Sequence, residues 1–191
     1  MKTTRLYFIF FFACLFFSFI PSKKDFNKLS SPAERIISRV KKSTANPYYI
    51  IISKKTYELK VYDDEGWYAT YPCVFGSNDL RDKLMQGDKR TPEGKFKVLL
   101  KKSNAKWAFE LLLDYPNAQD VEKFNERKAS GQLPRNAKIG SGIAIHATRP
   151  QEEWTVDYYQ NWTDGCISLK YSEAKDLYSY IPVGTPVTIE K

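Results

Sequence analysis

One histidine, His146, and a cysteine twenty positions later, Cys166, are the residues of this chain best suited to covalent chemistry. A thiol attacks only as thiolate, and a neighbouring imidazole is the usual means of making one near neutral pH. Thr163, Asp164 and Gly165 lead into Cys166. A glycine-containing turn at that point would let successive backbone N–H groups converge on a developing oxyanion, which is what acyl transfer needs. The residue types also admit plainer roles. A lone cysteine is commonly a small buried hydrophobe, and a lone histidine a residue satisfied by its neighbours. A zinc site drawn from His146, Cys166 and Asp164 is a weaker third reading, since three ligands suffice for a catalytic zinc. With one histidine, no Cys-x-x-Cys and no glycine-rich phosphate loop, the sequence calls for no metal and no other cofactor.

The elements that must position these two residues read as mainly β structure with a few short helices. Tyr49–Ser53 is apolar, and Tyr57–Tyr62 alternates Leu59 and Val61 against Glu58 and Lys60, as a half-buried strand does. Asp63–Gly66 makes a turn into Trp67–Val74, giving a meander to which Phe96–Lys101 adds a fourth strand. Between them GDKRTPEGKF, residues 87–96, carries Pro92 and Gly94 at turn positions. Phe109–Leu113 reads as a further strand, and Asn117 can cap a helix over Ala118–Ser130 that Gly131 stops. Ile143–Ile145 delivers His146 at a strand end. Arg149–Asn161 is then a loop rich in aromatics, either lining a groove or packing on its own domain. A helix over Ser172–Ile181 and a last strand, Pro186–Glu190, follow the cysteine. Cys73 lies in a strand-like run and reads as a core residue, separate from Cys166.

Charge and hydropathy divide the chain. Of its 191 residues and net charge of +8, residues 1–48 hold nine Lys/Arg against Asp25 and Glu34, so the remainder is nearly neutral. A nucleic-acid footprint would concentrate basic residues on the folded module, so no nucleic-acid partner is expected. Lys2 and Arg5 precede a mostly apolar run from Leu6 to Ile20, shorter than the roughly twenty residues that span a bilayer. Residues 1–22 therefore read as a signal peptide or N-terminal membrane anchor, with Cys14 in a faint lipoprotein-like box. Residues 23–48 read as a basic linker, with a short helix starting near Pro32 and carrying Ile36, Ile37 and Val40. Residues 49–191 form the main domain. Export to the periplasm or cell envelope, with membrane contact only through the N-terminal segment, is the expectation.

Three segments then resemble one family. His146, sixteen residues, Thr163-Asp164-Gly165-Cys166 and hydrophobic Ile167 are similar to the active-site signature of the L,D-transpeptidase (YkuD-type) family. GDKRTPEGKF resembles that family's G-D-x-x-T-P-E-G-x-F segment. LLLDYPNAQD resembles the L-x-x-x-Y-P-N-x-x-D segment of a branch whose cysteine motif lacks its second histidine, here Thr-Asp-Gly-Cys in place of Ser-His-Gly-Cys. The resemblance covers residues 49–190 and implies a YkuD-like β-sandwich or curved-sheet catalytic domain acting on peptidoglycan stem peptides of a bacterium. Cys166 would be the nucleophile and His146 the base. Backbone groups at Asp164, Gly165 and Ala147 would serve the oxyanion and orient the histidine. Thr163, Ser168, Arg149, Trp162 and Tyr159 are candidates for the substrate groove. Asp164 stands where the family usually has His, Ala147 where Gly is frequent, and Ser168 where Arg or Asn is common. A carboxylate at 164 would raise the thiol pKa unless it points away or pairs with His146. The acceptor is left open between a stem peptide, a wall-attached protein, an amino acid and water, so crosslinking, remodelling and hydrolysis all remain. A non-catalytic wall-binding module is the remaining alternative.

Overall fold

Alternation of buried with partly exposed side chains sets the first two strands. The computed structural model describes residues 46–104 and 108–191; the apolar leader, Cys14 and the helix expected after Pro32 lie outside the described residues. Strand β1, Tyr49–Ser53, buries Ile50 and Ile52, and antiparallel β2, Glu58–Asp63, sets Val61 and Leu59 opposite them. A one-residue slip would turn all four to solvent, so burial fixes the register. The turn expected at residues 63–66 is held by Asp63 Oδ1, which accepts the Glu65 and Gly66 N–H groups at 2.8 and 3.1 Å. Strand β3, Gly66–Pro72, completes the meander.

The fourth strand does not extend this meander. Strand β4, Gly94–Asn104, lies on the other side of β1, separated from it by the last strand. Numbered in chain order, β5 is Ala108–Leu113, β6 Ala144–Ala147, β7 Ile167–Leu169 and β8 Pro186–Glu190. The eight strands run in the order β3-β2-β1-β8-β4-β5-β6-β7. Pairing is parallel for β1 with β8 and for β6 with β7, and antiparallel elsewhere.

Strand β4 bends the sheet. Gly94–Lys97 pairs with β8, whereas Val98 onward pairs with β5, with a register shift between Val98 and Leu100. Such a shift inserts an unpaired residue and increases local twist. It leaves Leu99 and Leu100 half exposed while Val98 is fully buried. At the far end, Val74 and Ser168 exchange backbone hydrogen bonds of 2.9 and 2.8 Å, so the chain leaving β3 returns to β7 and nearly closes a barrel. Ile50, Ile52, Leu59, Val61, Val98, Leu111, Ile145, Ile167 and Leu169 meet inside, each contributing about 1.5–3 kcal/mol by leaving water. Cys73 is fully buried in the same core and is not disulfide-bonded.

The helices brace this sheet. Helix α1, Ala118–Ala129, begins at the expected cap: Asn117 Oδ1 accepts the Gln119 and Asp120 N–H groups, and Asp120 returns a bond to the Asn117 N–H. Gly131, at φ +76°, follows its end. One turn, α2, spans Trp154–Asp157 within the aromatic loop. Helix α3, Tyr171–Tyr180, sets Ala174 and Leu177 into the core. Among the described residues no helix is long and apolar enough to cross a membrane.

Candidate active site

His146 lies within β6 rather than at its end, flanked by β5 and β7. Its residue is 3% exposed. The ring Nδ1 lies 2.9 Å from the carbonyl oxygen of Ala147. A carbonyl can only accept, so Nδ1 is the donor, and in the neutral imidazole the lone pair then lies on Nε2. Trp162 meets the imidazole edge-on, ring centroids 5.7 Å apart. Residue 147 thus meets the histidine through its backbone carbonyl, a group that alanine supplies as well as glycine.

Cys166 sits on a turn held by Thr163. The Thr163 hydroxyl donates to the Cys166 carbonyl at 2.8 Å and accepts the Gly165 N–H at 3.1 Å. Gly165 N–H is therefore engaged within the turn. Only glycine fits at 165. Its φ is +124°, and an added Cβ would lie 2.7 Å from the Arg90 carbonyl oxygen. Gly76 is equally tight, since a Cβ there would fall 2.2 Å from the Lys89 oxygen and 2.5 Å from the Gly165 nitrogen. Three segments thus interlock behind the cysteine: residues 75–76, 89–90 and 163–165.

The GDKRTPEGKF segment supplies the middle of these. Asp88 accepts from the backbone N–H groups of Leu84, Met85 and Arg90 and pairs with Lys83 at 2.8 Å, both side chains being almost buried. Burial alone would raise the Asp88 pKa, but Lys83 and the three N–H groups outweigh it and the net shift is downward. Fully buried Lys54 reaches Glu93 at 2.7 Å and the Thr91 carbonyl at 3.3 Å, tying the segment to the β1–β2 turn. From α1, Arg127 holds Asp82 at 2.7 Å and Lys123 the Glu93 carbonyl at 3.2 Å. Behind the aromatic loop, Asn161 accepts the Phe75 N–H at 2.7 Å and donates to Tyr57 and Ser77.

His146 and Cys166 line one cavity of about 230 Å³ together with Glu110, Trp162, Thr163 and Asp164. The thiol lies 3.5 Å from the Gly142 carbonyl, to which it can donate. Burial pushes the Cys166 thiol above its ordinary value; the Ala144 N–H pulls it back, and Glu110 and then Asp164 push it up further. The Asp164 side chain is 95% exposed and approaches Lys89 at 4.0 Å.

The remaining candidates separate. Trp162 and Thr163 reach the cavity, and Thr163 also builds the turn. Ser168 is fully buried beside His146, its hydroxyl without a hydrogen-bond partner. Arg149 projects to solvent and pairs with Glu152 at 3.2 Å. Tyr159 is 56% exposed and packs edge-on against Tyr57. Neither Arg149 nor Tyr159 lines the cavity. Glu110 was not singled out by its sequence, although an acidic residue inside the apolar run Phe109–Leu113 is a visible anomaly. Among the described residues no group of three His, Cys, Asp or Glu side chains is arranged to hold a metal ion.

Comparison with known proteins agrees with this architecture. YqjB of Bacillus subtilis (strain 168), provisionally named an L,D-transpeptidase, is 30% identical over 145 residues, 74% of this chain and 70% of that protein. The solved structure of Bdellovibrio bacteriovorus Bd1075 superposes with a TM-score of 0.56 at 24% identity, over 78% of this chain. The helical cell shape determining protein Pgp2 of Campylobacter jejuni gives a TM-score of 0.58 at 23% identity, also over 78%. These two likenesses concern the fold, and this chain spans 49% of each of those proteins. The model of the YkuD family, described as the L,D-transpeptidase catalytic domain, matches residues 47–189. With three quarters of its length so matched, the chain belongs to the YkuD family of L,D-transpeptidase catalytic domains.

Proposed function

We propose that this protein is a cysteine acyltransferase acting on peptidoglycan stem peptides, an L,D-transpeptidase that works through a thioester on Cys166. The observation that carries the reading is that His146 and Cys166 line one cavity, with His146 Nδ1 2.9 Å from the Ala147 carbonyl, which leaves Nε2 as the ring nitrogen to act as base. His146 takes the thiol proton as sulfur attacks the carbonyl of the third stem residue. The N–H groups of Asp164 and Cys166 receive the oxyanion, and His146 returns the proton to the departing amine of terminal D-alanine. An incoming amine then reverses these steps and leaves the new amide.

Burial of the thiol favours its neutral form at rest, so proton transfer accompanies attack and no standing thiolate is needed. Export by residues 1–22, a linker over 23–48 and a catalytic domain over 49–191 fit a protein that meets its substrate in the cell envelope. Incubation with a disaccharide-tetrapeptide, followed by mass spectrometry, tests the reading. A crosslinked dimer, or exchange of terminal D-alanine for an added D-amino acid, lost in Cys166→Ala, is expected. Tripeptide as sole product would replace transfer by hydrolysis. A Cys166→Ala variant as active as wild type would make the cysteine irrelevant.

A further inference from the structure

Between the aromatic loop and the cysteine turn stands Asn161, a half-buried residue that does not line the cavity. Its side-chain carbonyl accepts the Phe75 N–H at 2.7 Å. Its amide nitrogen serves three oxygens, the Tyr57 hydroxyl at 3.0 Å, the Ser77 carbonyl at 3.1 Å and the Asn78 side chain at 3.0 Å. The backbone completes the grip: the Phe75 carbonyl accepts the N–H groups of Trp162 at 2.9 Å and Thr163 at 3.2 Å. Residues 161–163 are thus fastened to both backbone polar groups of one core residue, Phe75, which is fully buried.

Both residues held in this way adjoin the reacting groups. Trp162 packs against His146, and the Thr163 hydroxyl builds the turn that carries Cys166. Gly76, next to Phe75, backs the same turn, with no room for a Cβ beside the Gly165 nitrogen. Backbone strain marks the place as well. Tyr57 and Tyr159 have φ of +58° and +53°, a region that residues with side chains rarely enter. Their rings meet with centroids 5.3 Å apart, and Tyr57 lies 5.4 Å from Phe75. Such conformations persist where the surrounding contacts over-determine them, and the Asn161 bond to the Tyr57 hydroxyl is one of those contacts.

We infer that Asn161 is a positioning residue for acyl transfer: through Phe75 it fixes Trp162 against His146 and Thr163 in the cysteine turn, and so sets the distance between base and nucleophile. The inference rests on the acyltransfer reading above. Asn161 touches neither reacting atom. Its effect falls on attack and proton transfer, steps that lose about a hundredfold when the groups shift by ~1 Å, and spares ground-state binding of the donor.

Asn161→Ala removes every one of these bonds, whereas Asn161→Asp keeps an acceptor for the Phe75 N–H. With a tetrapeptide donor and the full chain, Asn161→Ala should lower kcat for D-alanine release about a hundredfold and leave the donor KM within about threefold, and Asn161→Asp should regain about tenfold or more of the lost kcat. The chain has one histidine, so its imidazole C–H signal in NMR belongs to His146 without ambiguity. The ring current of Trp162 displaces that signal; it should move in Asn161→Ala and stay near its wild-type place in Asn161→Asp. Val187→Ala truncates a buried side chain of β8 that does not line the cavity, and should change neither kcat nor the signal, which separates positioning from general loss of stability. Wild-type kcat in Asn161→Ala, or a loss of kcat with an unmoved imidazole signal, would overturn the inference. If the alanine variant does not fold, a folded Asn161→Asp that loses about a hundredfold in kcat would overturn it equally. Wild type that releases no D-alanine would sink the acyltransfer reading itself, and the imidazole signal would still decide whether Asn161 places Trp162 against His146.

Discussion

Replacing Thr163 by valine preserves the volume of the side chain and removes one oxygen that makes two hydrogen bonds. That oxygen donates to the Cys166 carbonyl at 2.8 Å and accepts the Gly165 N–H at 3.1 Å, in a residue only 4% exposed. Each bond contributes about 1 kcal/mol, and a buried group left unpaired costs about 1–3 kcal/mol. Valine leaves both the Gly165 N–H and the Cys166 carbonyl without this partner. A destabilisation of about 2–4 kcal/mol is expected, on the order of 10 °C in Tm for a domain of this size. Thr163→Ser keeps the oxygen and loses one methyl, about 1 kcal/mol. Activity should separate the two variants further. The hydroxyl shapes the turn that carries Cys166 and the N–H groups proposed to receive the oxyanion, and loss of one oxyanion donor costs about a hundredfold or more in rate. Urea unfolding gives the stability term, and single-turnover release of D-alanine at a temperature where all variants are folded gives the rate. If valine matched serine in both, the turn would not depend on the hydroxyl and this view of the cysteine loop would be wrong.

Further outcomes follow from the surrounding shell. Asp88→Asn leaves Lys83 without its buried counter-charge and should cost about 3 kcal/mol. Because the Asp88 pKa is depressed on folding, its stabilisation is present above the ordinary carboxylate pKa and lost as pH falls through the lower folded value; urea midpoints measured down that range should fall less steeply in Asp88→Asn than in wild type. Ser168→Ala removes a fully buried hydroxyl that has no partner, so stability should hold or rise by about 1 kcal/mol, and a loss above ~2 kcal/mol by thermal unfolding would show that Ser168 is bonded in solution. Iodoacetamide should label Cys166 with a midpoint above that of a free thiol and leave fully buried Cys73 unlabelled until the chain unfolds, which peptide mapping reads directly.

What could be read from the residues was local. Period-two burial gave β1 and β2, Asn117 with Asp120 gave the start of α1, and the His146–Cys166 signature gave the pair that one cavity now holds. Long-range pairing was not legible. Nothing in Pro186–Glu190 says that it inserts between β1 and β4, because parallel pairing of chain ends leaves no spacing signal. Burial at two-sided positions was hidden for the same reason. Ser168 looks like a groove residue from its place after the cysteine, but every residue of β7 is buried. Arg149 and Tyr159 stand near the site in sequence but do not line its cavity: Arg149 pairs with Glu152 and Tyr159 packs against Tyr57. Glu110 was legible as an acid in an apolar strand; its place opposite His146 needed the register.

The central claim is that Cys166 carries the acyl group with His146 as its base. Rapid quenching with a tetrapeptide donor, followed by intact-protein mass spectrometry and peptide mapping, tests it most directly. The account predicts a donor-minus-D-alanine adduct on the Cys166 peptide, absent in Cys166→Ala and formed at least about a hundredfold more slowly in His146→Ala. An adduct on another residue, or one that forms at the wild-type rate without His146, would contradict it.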